Sequence, residues 1–179
     1  MKLFRHPISM PNRNTVAMAL FFGLCAFAIV KSNAMLLIGT TGTYTDPREV
    51  FTILGSALTG PIGGLIIGFF AGIGIPEGKW LASVLAHQIA CLMIGFGYKK
   101  FLFPHGNPWL FFLKWTLMVL GYYLVLLAPA FVIFNTILYN ETISYLSIIS
   151  GIHYEILFSI IFPLIALLIL PERYKQPVW

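Results

Sequence analysis

Hydrophobic residues form long, nearly unbroken runs that short polar segments separate. Four clear runs cover residues 15–30, 80–98, 109–138 and 150–170. About 20 apolar residues, in a helix that rises ~1.5 Å per residue, cross a hydrocarbon core of ~30 Å. None of the runs alternates between apolar and polar residues in the way typical of membrane β-barrels. The pattern therefore predicts an all-α fold, a polytopic bundle of transmembrane helices.

A fifth apolar run, residues 49–74, contains the pair Gly60-Pro61 near its middle. As one helix it would be ~39 Å long and would cross with a strong tilt, which gives five spans. Proline lacks a backbone N–H and disfavours helix at the residue before it, so Gly60-Pro61 can also be the turn of a helical hairpin, which gives six spans. Each arm would be only ~20 Å long, so the arms either extend into the flanking loops or form a partly re-entrant hairpin that neighbouring helices shield.

The positions of the basic residues favour the hairpin. If the N-terminus is cytoplasmic, six spans place on the same side Lys2, Arg5, Arg13, Lys99, Lys100, Arg173 and Lys175. In the six-span topology, the positive and negative charges of the outer loops nearly cancel. In the five-span topology, Lys99 and Lys100 would lie outside the cell. Because cytoplasmic loops are enriched in Lys and Arg, we predict six spans with both termini in the cytoplasm.

The composition supports an integral membrane protein. Of the 179 residues, 59% are hydrophobic and 9% are charged, which is far too apolar for a soluble domain. We expect one integral membrane domain over residues 1–179, in contact with lipid in the cell membrane. The net charge is +5, and the Lys and Arg residues lie in the short segments between the apolar runs. Their positions are explained by the orientation of the chain in the membrane, so we predict no nucleic-acid partner.

Residues 1–31 resemble a signal peptide, but the apolar run continues to Val30, so we expect a retained first helix.

Polar side chains interrupt two of the apolar runs. Trp80 and His87 fall on one face of the run 80–98, with Gln88 beside them. An unpaired polar group in hydrocarbon is costly, so His87 and Gln88 should face the protein interior, either as an interhelical hydrogen-bonded pair or as ligand contacts. Polar residues also lie at the outer ends of the last two spans, and these are Asn135, His153 and Glu155.

Arg48 ends the first outer loop in the sequence Asp46-Pro47-Arg48-Glu49. Its guanidinium is suited to holding a carboxylate or a phosphate, but it can equally pair with Asp46 or Glu49 as a local brace. We predict that Arg48, His87 and Glu155 approach a common outer cavity. The full set of candidate ligand-binding residues is Arg48, Trp80, His87, Gln88, Asn135, His153 and Glu155.

Small residues at helical spacing predict close contacts between helices. Gly64, Gly68 and Gly72 repeat on one face of the second hairpin arm, which favours internal packing, with a ligand wall as the alternative. In the first helix, a stripe of small residues indicates either internal packing or a docking face for a partner membrane subunit, and it consists of Ala19, Gly23 and Ala26.

The sequence contains none of the common catalytic or nucleotide-binding motifs, and its four histidines are scattered. We therefore predict that the protein is not an enzyme. We also predict no catalytic residues, no metal site and no cofactor.

Three segments carry a resemblance to a known family. The order Asp46-Pro47-Arg48, then FTILGSALTGPIGGLIIGFFAGI, then a helix that ends GFGYKK, resembles the substrate-binding S components of energy-coupling-factor (ECF) transporters. This resemblance implies a subunit that binds a small molecule, typically a vitamin or related nutrient. It implies a pocket that opens outward between the last three helices and the first loop. It also implies that the first helix docks on a transmembrane coupling subunit driven by separate ATPases, with Ala19, Gly23 and Ala26 as the docking stripe.

The same glycine-rich stretch is also similar to the membrane sensor domain of LytS-type histidine kinases, in which an Arg precedes a comparable run. On that alternative, the chain is a stand-alone sensor that signals through a partner. A third alternative is a structural or assembly protein without a ligand, in which His87, Gln88 and Glu155 pair with one another.

Overall fold

The computed structural model describes residues 12–34, 36–38, 43–74, 78–102 and 107–171. Its elements are α1 (Arg13–Lys31), β1 (Leu36–Ile38), β2 (Thr43–Thr45), α2 (Arg48–Ile73), α3 (Trp80–Gly97), α4 (Pro108–Gly121), α5 (Ala128–Tyr139) and α6 (Tyr145–Ile169). A π-helical segment, Tyr98–Leu102, follows α3, and a second one, Tyr122–Leu127, joins α4 to α5. The predicted basic residues Lys2, Arg5, Arg173 and Lys175 lie outside the described residues.

Five helices among the described residues are long and apolar enough to cross a membrane, which indicates a membrane protein. They are Arg13–Lys31, Arg48–Ile73, Trp80–Leu102, Pro108–Tyr139 and Tyr145–Ile169. All lie within or close to the predicted apolar runs. The prediction of a helical bundle is therefore confirmed in this general form. The described part of the first loop adds a small antiparallel β-hairpin, with Leu36 opposite Thr45, which the all-α prediction lacked.

Asparagine side chains mark several helix ends. Asn12 accepts a hydrogen bond from the Thr15 backbone N–H at 2.8 Å and caps α1. Asn107 does the same for Trp109 at 2.9 Å, and Pro108 occupies the first turn of α4, where its missing N–H costs nothing. Asn140 ends α5 in the left-handed conformation, with φ of 54°.

α2 is folded back on itself at Gly60. Gly60 has φ of 75° and ψ of −170°, a conformation that essentially only glycine adopts. Arg48 Nη1, at the start of α2, donates to the Ala71 carbonyl oxygen at 3.1 Å. In a straight helix these residues would be about 35 Å apart, so the chain reverses between them. Residues 48–59 and 61–73 therefore form two arms that lie side by side, with the turn at the predicted Gly60-Pro61 pair.

The turn of this helical hairpin is covered by protein. Thr59, Gly60 and Pro61 are all buried. Gly95 of α3 lies directly against the turn, since a Cβ built on Gly95 would be 2.4 Å from the Gly60 carbonyl carbon. Non-helical backbone at membrane depth is tolerated only where protein or water covers it. This burial explains how a backbone break is accommodated in so apolar a segment.

The glycine repeat of the second arm packs against α3. A Cβ built on Gly64, Gly68 or Gly72 would lie 2.4–2.7 Å from backbone atoms of α3. The two backbones therefore touch, as small residues at this spacing allow. The structure places these glycines in internal packing, and no ligand wall is formed by them.

The small-residue stripe of α1 also packs internally. Ala19, Gly23 and Ala26 are buried, and Gly23 faces Phe70 of the second arm. The structure shows the internal-packing alternative for these residues, and their role as a docking face for a partner stays a prediction. The exposed side of α1 is instead formed by larger apolar residues, among them Phe21 and Leu24.

The helices define two ends of the bundle. At the end that we call the β-hairpin end, α1 finishes against the end of α2, where Gly74 meets Val30. The same end holds an ion pair between Lys79, before α3, and Glu141, after α5, at 2.7 Å. The opposite end, which we call the Lys100 end, is where α1 begins, α3 finishes and α6 finishes.

Candidate functional site

A cavity of about 150 Å³ lies near the β-hairpin end, between α2, α3, α5 and α6. One wall is polar and is formed by Arg48, Glu49, Ser83, His87 and Glu155. The facing wall is apolar and is formed by Leu127, Ala128, Phe131, Ile148 and Ile152. The cavity thus offers a charged end and a hydrophobic end to whatever occupies it.

Glu49 is the centre of the polar wall. Its side chain is only 1% exposed, and its Oε1 lies 2.9 Å from His87 Nε2. Its Oε2 accepts a hydrogen bond from the Tyr122 hydroxyl at 2.7 Å. One carboxylate therefore joins α2, α3 and the π-helical segment that precedes α5. Such buried polar groups are favourable only when they are paired.

His87 is held by contacts at both ring nitrogens. Its Nδ1 lies 2.7 Å from the Ser83 carbonyl oxygen, one helical turn earlier, so Nδ1 carries a proton and donates. Its Nε2 faces the Glu49 carboxylate, which is also an acceptor. The contact between Nε2 and Oε1 is a buried hydrogen bond that joins α3 to α2.

Arg48 is a brace with a protein partner at each nitrogen. Its Nη2 lies 3.2 Å from Asp46 Oδ2, and its Nη1 donates to the Ala71 carbonyl at 3.1 Å. Its Nε is 3.1 Å from Glu49 Oε1, close enough for an ion pair although the geometry is not that of a hydrogen bond. Asp46 also accepts from the Arg48 backbone N–H at 2.8 Å. Of the two sequence alternatives, the structure shows the local brace.

Glu155 reaches the cavity from α6. Its carboxylate approaches the backbone N–H of Asp46. Among the described residues, no ion pair to Glu155 is formed. His153 points elsewhere, as expected for residues about 200° apart on a helix. It is exposed, and its Nδ1 lies 2.6 Å from the Ser150 carbonyl oxygen.

The remaining predicted ligand residues do not line the cavity. Trp80 is 43% exposed at the start of α3. Gln88 donates to the Leu65 carbonyl at 3.3 Å and so ties α3 to the second arm of α2. Asn135 is buried and donates to the Phe131 carbonyl at 2.8 Å. The structure therefore brings together Arg48, His87 and Glu155 but not Trp80, Gln88, Asn135 or His153.

Three residues of the site were not singled out from the sequence as site residues. These residues are Glu49, which the sequence suggested only as a partner of Arg48, and Tyr122 and Ser83. The signal for Glu49 was available, because an ionisable group at the start of an apolar run indicates function by default. Its partners were not predictable, since His87 is 38 residues away and Tyr122 is 73 residues away.

The geometry also tests the idea of a ligand-free pairing of His87, Gln88 and Glu155. These three side chains have different partners, since His87 contacts Glu49, Gln88 contacts the Leu65 carbonyl, and Glu155 approaches the backbone N–H of Asp46. In the described part of the chain, no group of three His, Cys, Asp or Glu residues is placed to hold a metal ion. The arrangement is a cavity lined by fixed polar side chains and by apolar side chains. No protein-family model, curated protein or solved structure matches this chain.

Proposed function

We propose that this protein is the membrane-embedded, small-molecule-binding subunit of an ECF-type importer for a vitamin or related nutrient. The observation that supports the proposal is the cavity at the β-hairpin end, with polar side chains from α2, α3 and α6 and apolar side chains mainly from α5 and α6. Small-molecule sites in proteins are mostly apolar pockets with a few fixed polar groups, which is the arrangement found here. The resemblance to S components supports the same position, between the first loop and the last helices.

The cavity is small for a nutrient-sized ligand. Its volume of about 150 Å³ is below the ~300–1,000 Å³ of typical ligand pockets. A nutrient-sized molecule therefore requires the cavity to widen. The wall on α2 and α3 is rigid, because their backbones touch at three glycines. Widening must then come from α5 and α6, whose outer parts present large exposed apolar side chains such as Ile137 and Leu146.

We further infer that the chain crosses the membrane six times, with both termini in the cytoplasm. The reversal at Gly60 supports this topology, because it returns α2 to the β-hairpin end and sends α3 toward Lys100. The start of α1, the end of α3 and the end of α6 then share one side, as the positive-inside rule favours. Each arm of α2 is too short for an ordinary crossing, but its turn is buried in protein, as a re-entrant hairpin requires.

Labelling of introduced cysteines tests this topology. A Lys100→Cys variant, in a background without Cys25, is expected to resist a membrane-impermeant thiol reagent in intact cells and to react after the cells are opened. Lys100 is exposed, so lack of access to the side chain would not explain resistance. The matched control is Thr142→Cys in the loop between α5 and α6, which should react in intact cells. Labelling of position 100 from outside would overturn the six-span proposal.

Native mass spectrometry of the protein purified from its own membrane tests the binding function. We expect a retained small molecule, together with copurified ATPases of an importer. Ala128→Phe should abolish retention, because it places a ring in the cavity from the apolar wall. Val125→Phe is the matched control, since Val125 is 69% exposed on the same helical stretch and should leave retention unchanged.

The outcomes separate the alternatives. Retention that Ala128→Phe removes and Val125→Phe preserves supports a ligand in this cavity. A copurifying signalling protein without ATPases would favour the sensor alternative. If no molecule is retained and no ATPase copurifies, the importer proposal fails. The docking of a coupling subunit on Ala19, Gly23 and Ala26, which the resemblance implies, stays a prediction, and these residues are buried in the structure.

A further inference from the structure

We infer that the ligand of this cavity is a small organic cation, an amine with a compact apolar body, and that Glu155 is its counter-ion. The inference rests on the proposed binding function and assigns the chemical class of the ligand. It depends on the balance of charge around the cavity, on the position of Glu155 and on the nature of the opposite wall.

The charges around the cavity do not cancel. Its described surroundings contain three carboxylates, on Asp46, Glu49 and Glu155, and two basic groups, on Arg48 and His87. Arg48 pairs with Asp46 at 3.2 Å, and His87 pairs with Glu49 at 2.9 Å. After these two pairings, one of the three carboxylates has no basic partner. It belongs to Glu155, which lies on α6, whereas the four paired side chains belong to other segments.

An acidic side chain in this position is suited to a cationic partner. Glu155 lies on a membrane-spanning helix, lines the cavity, approaches the backbone N–H of Asp46, and forms no ion pair among the described residues. Ionisable residues inside membranes pair with other charges or mark a ligand pathway, because an isolated charge in a low dielectric is costly. A positively charged ligand group in the cavity would supply the missing partner.

The contacts of Arg48 disfavour an anionic ligand. Arg48 is the basic group that would hold an anion, but its two terminal nitrogens already contact Asp46 and the Ala71 carbonyl, and its Nε lies 3.1 Å from Glu49 Oε1. On α5 and on the same helix as Glu155, the lining side chains include Phe131, Ile148 and Ile152. A ligand that places its ammonium group on Glu155 would lay its apolar body against these side chains.

Three probes that share a phenyl ring and differ in charge test the inference. The probes are 2-phenylethylamine, which is cationic at neutral pH, 2-phenylethanol, which is neutral, and 3-phenylpropionate, which is anionic. Binding to the purified full chain in detergent would be measured by calorimetry and by the shift in melting temperature. We expect the amine to bind about 10- to 100-fold more tightly than the alcohol, the usual gain from a charged hydrogen bond, and the propionate to bind least.

Two variants test whether the preference for the amine depends on Glu155. Glu155→Gln should reduce the affinity for the amine to that for the alcohol and should leave the affinity for the alcohol unchanged. Glu141→Gln is the matched control, because Glu141 is an acidic residue at the same end of the bundle but is half-exposed and paired with Lys79. It should change none of the affinities. The comparison of the three probes on the unmodified protein stands even if Glu155→Gln does not fold.

Several results would overturn the inference while leaving the proposed binding function intact. They are tighter binding of the alcohol or the propionate than of the amine, an amine affinity that Glu155→Gln does not change, and a retained native molecule that contains no amine. If no probe binds but a molecule is retained from the membrane, the identity of that molecule decides the inference. If no probe binds and nothing is retained, both proposals fail.

Discussion

Replacing Glu49 with alanine is expected to lower the free energy of unfolding by about 3–5 kcal/mol, the range found when one member of a buried ion pair is removed. The effect is large because Glu49 serves three partners at once. Its two oxygens contact Arg48, His87 and Tyr122 within 2.7–3.1 Å, and its side chain is almost completely buried. Without it, the His87 imidazole and the Tyr122 hydroxyl would lose their acceptor in an apolar interior.

The measurement is denaturant unfolding of the purified protein in detergent, followed by circular dichroism. The matched control is Glu141→Ala, which breaks the ion pair with Lys79 on the surface. Both residues of that pair are substantially exposed, so the loss should be at most about 1 kcal/mol. Glu49→Gln should fall between the two, because the amide oxygen can still accept from Tyr122 while the charge is lost. A loss below about 1 kcal/mol for Glu49→Ala would show that the cluster does not stabilise the bundle.

The sequence predicted those parts of the fold that depend on neighbouring residues. Apolar runs specify helices in a membrane because the backbone must satisfy its own hydrogen bonds there. The turn at Gly60-Pro61 was also predictable, since proline and glycine act on the backbone where they stand. The β-hairpin of the first loop was not predicted, because strands of three residues carry little pattern.

Contacts between distant segments were only partly predictable. The sequence indicated that Arg48, His87 and Glu155 would face a cavity, because polar groups in a membrane avoid lipid. It did not indicate that Glu49 would take His87 as its partner, which depends on the register between α2 and α3. The stripe of Ala19, Gly23 and Ala26 shows the same limit. Small residues predict that another helix comes close, but they do not specify whether that helix belongs to the same chain.

The packing register between α2 and α3 can be tested at the glycines of α2 that contact α3. Changing both Gly68 and Gly72 to alanine is expected to lower the free energy of unfolding by about 3 kcal/mol or more, the upper end of the range for overpacking. A Cβ on Gly72 would lie 2.4 Å from the Val84 Cα, and one on Gly68 would lie 2.7 Å from the Gln88 Cα. These are backbone atoms, which cannot rotate away as a side chain can. The two helices must therefore separate.

Separation would also damage the cavity, because Glu49 lies on α2 and His87 on α3. The double variant should therefore lose the bound molecule as well as stability, measured by unfolding and by native mass spectrometry on the same sample. The matched control is the pair Gly121→Ala and Gly151→Ala, where a Cβ would meet nothing within 4 Å. Alanine in an open helical position stabilises by up to about 1 kcal/mol, so the control should be neutral or slightly more stable. Equal effects of the two double variants would mean that α2 and α3 are not in backbone contact.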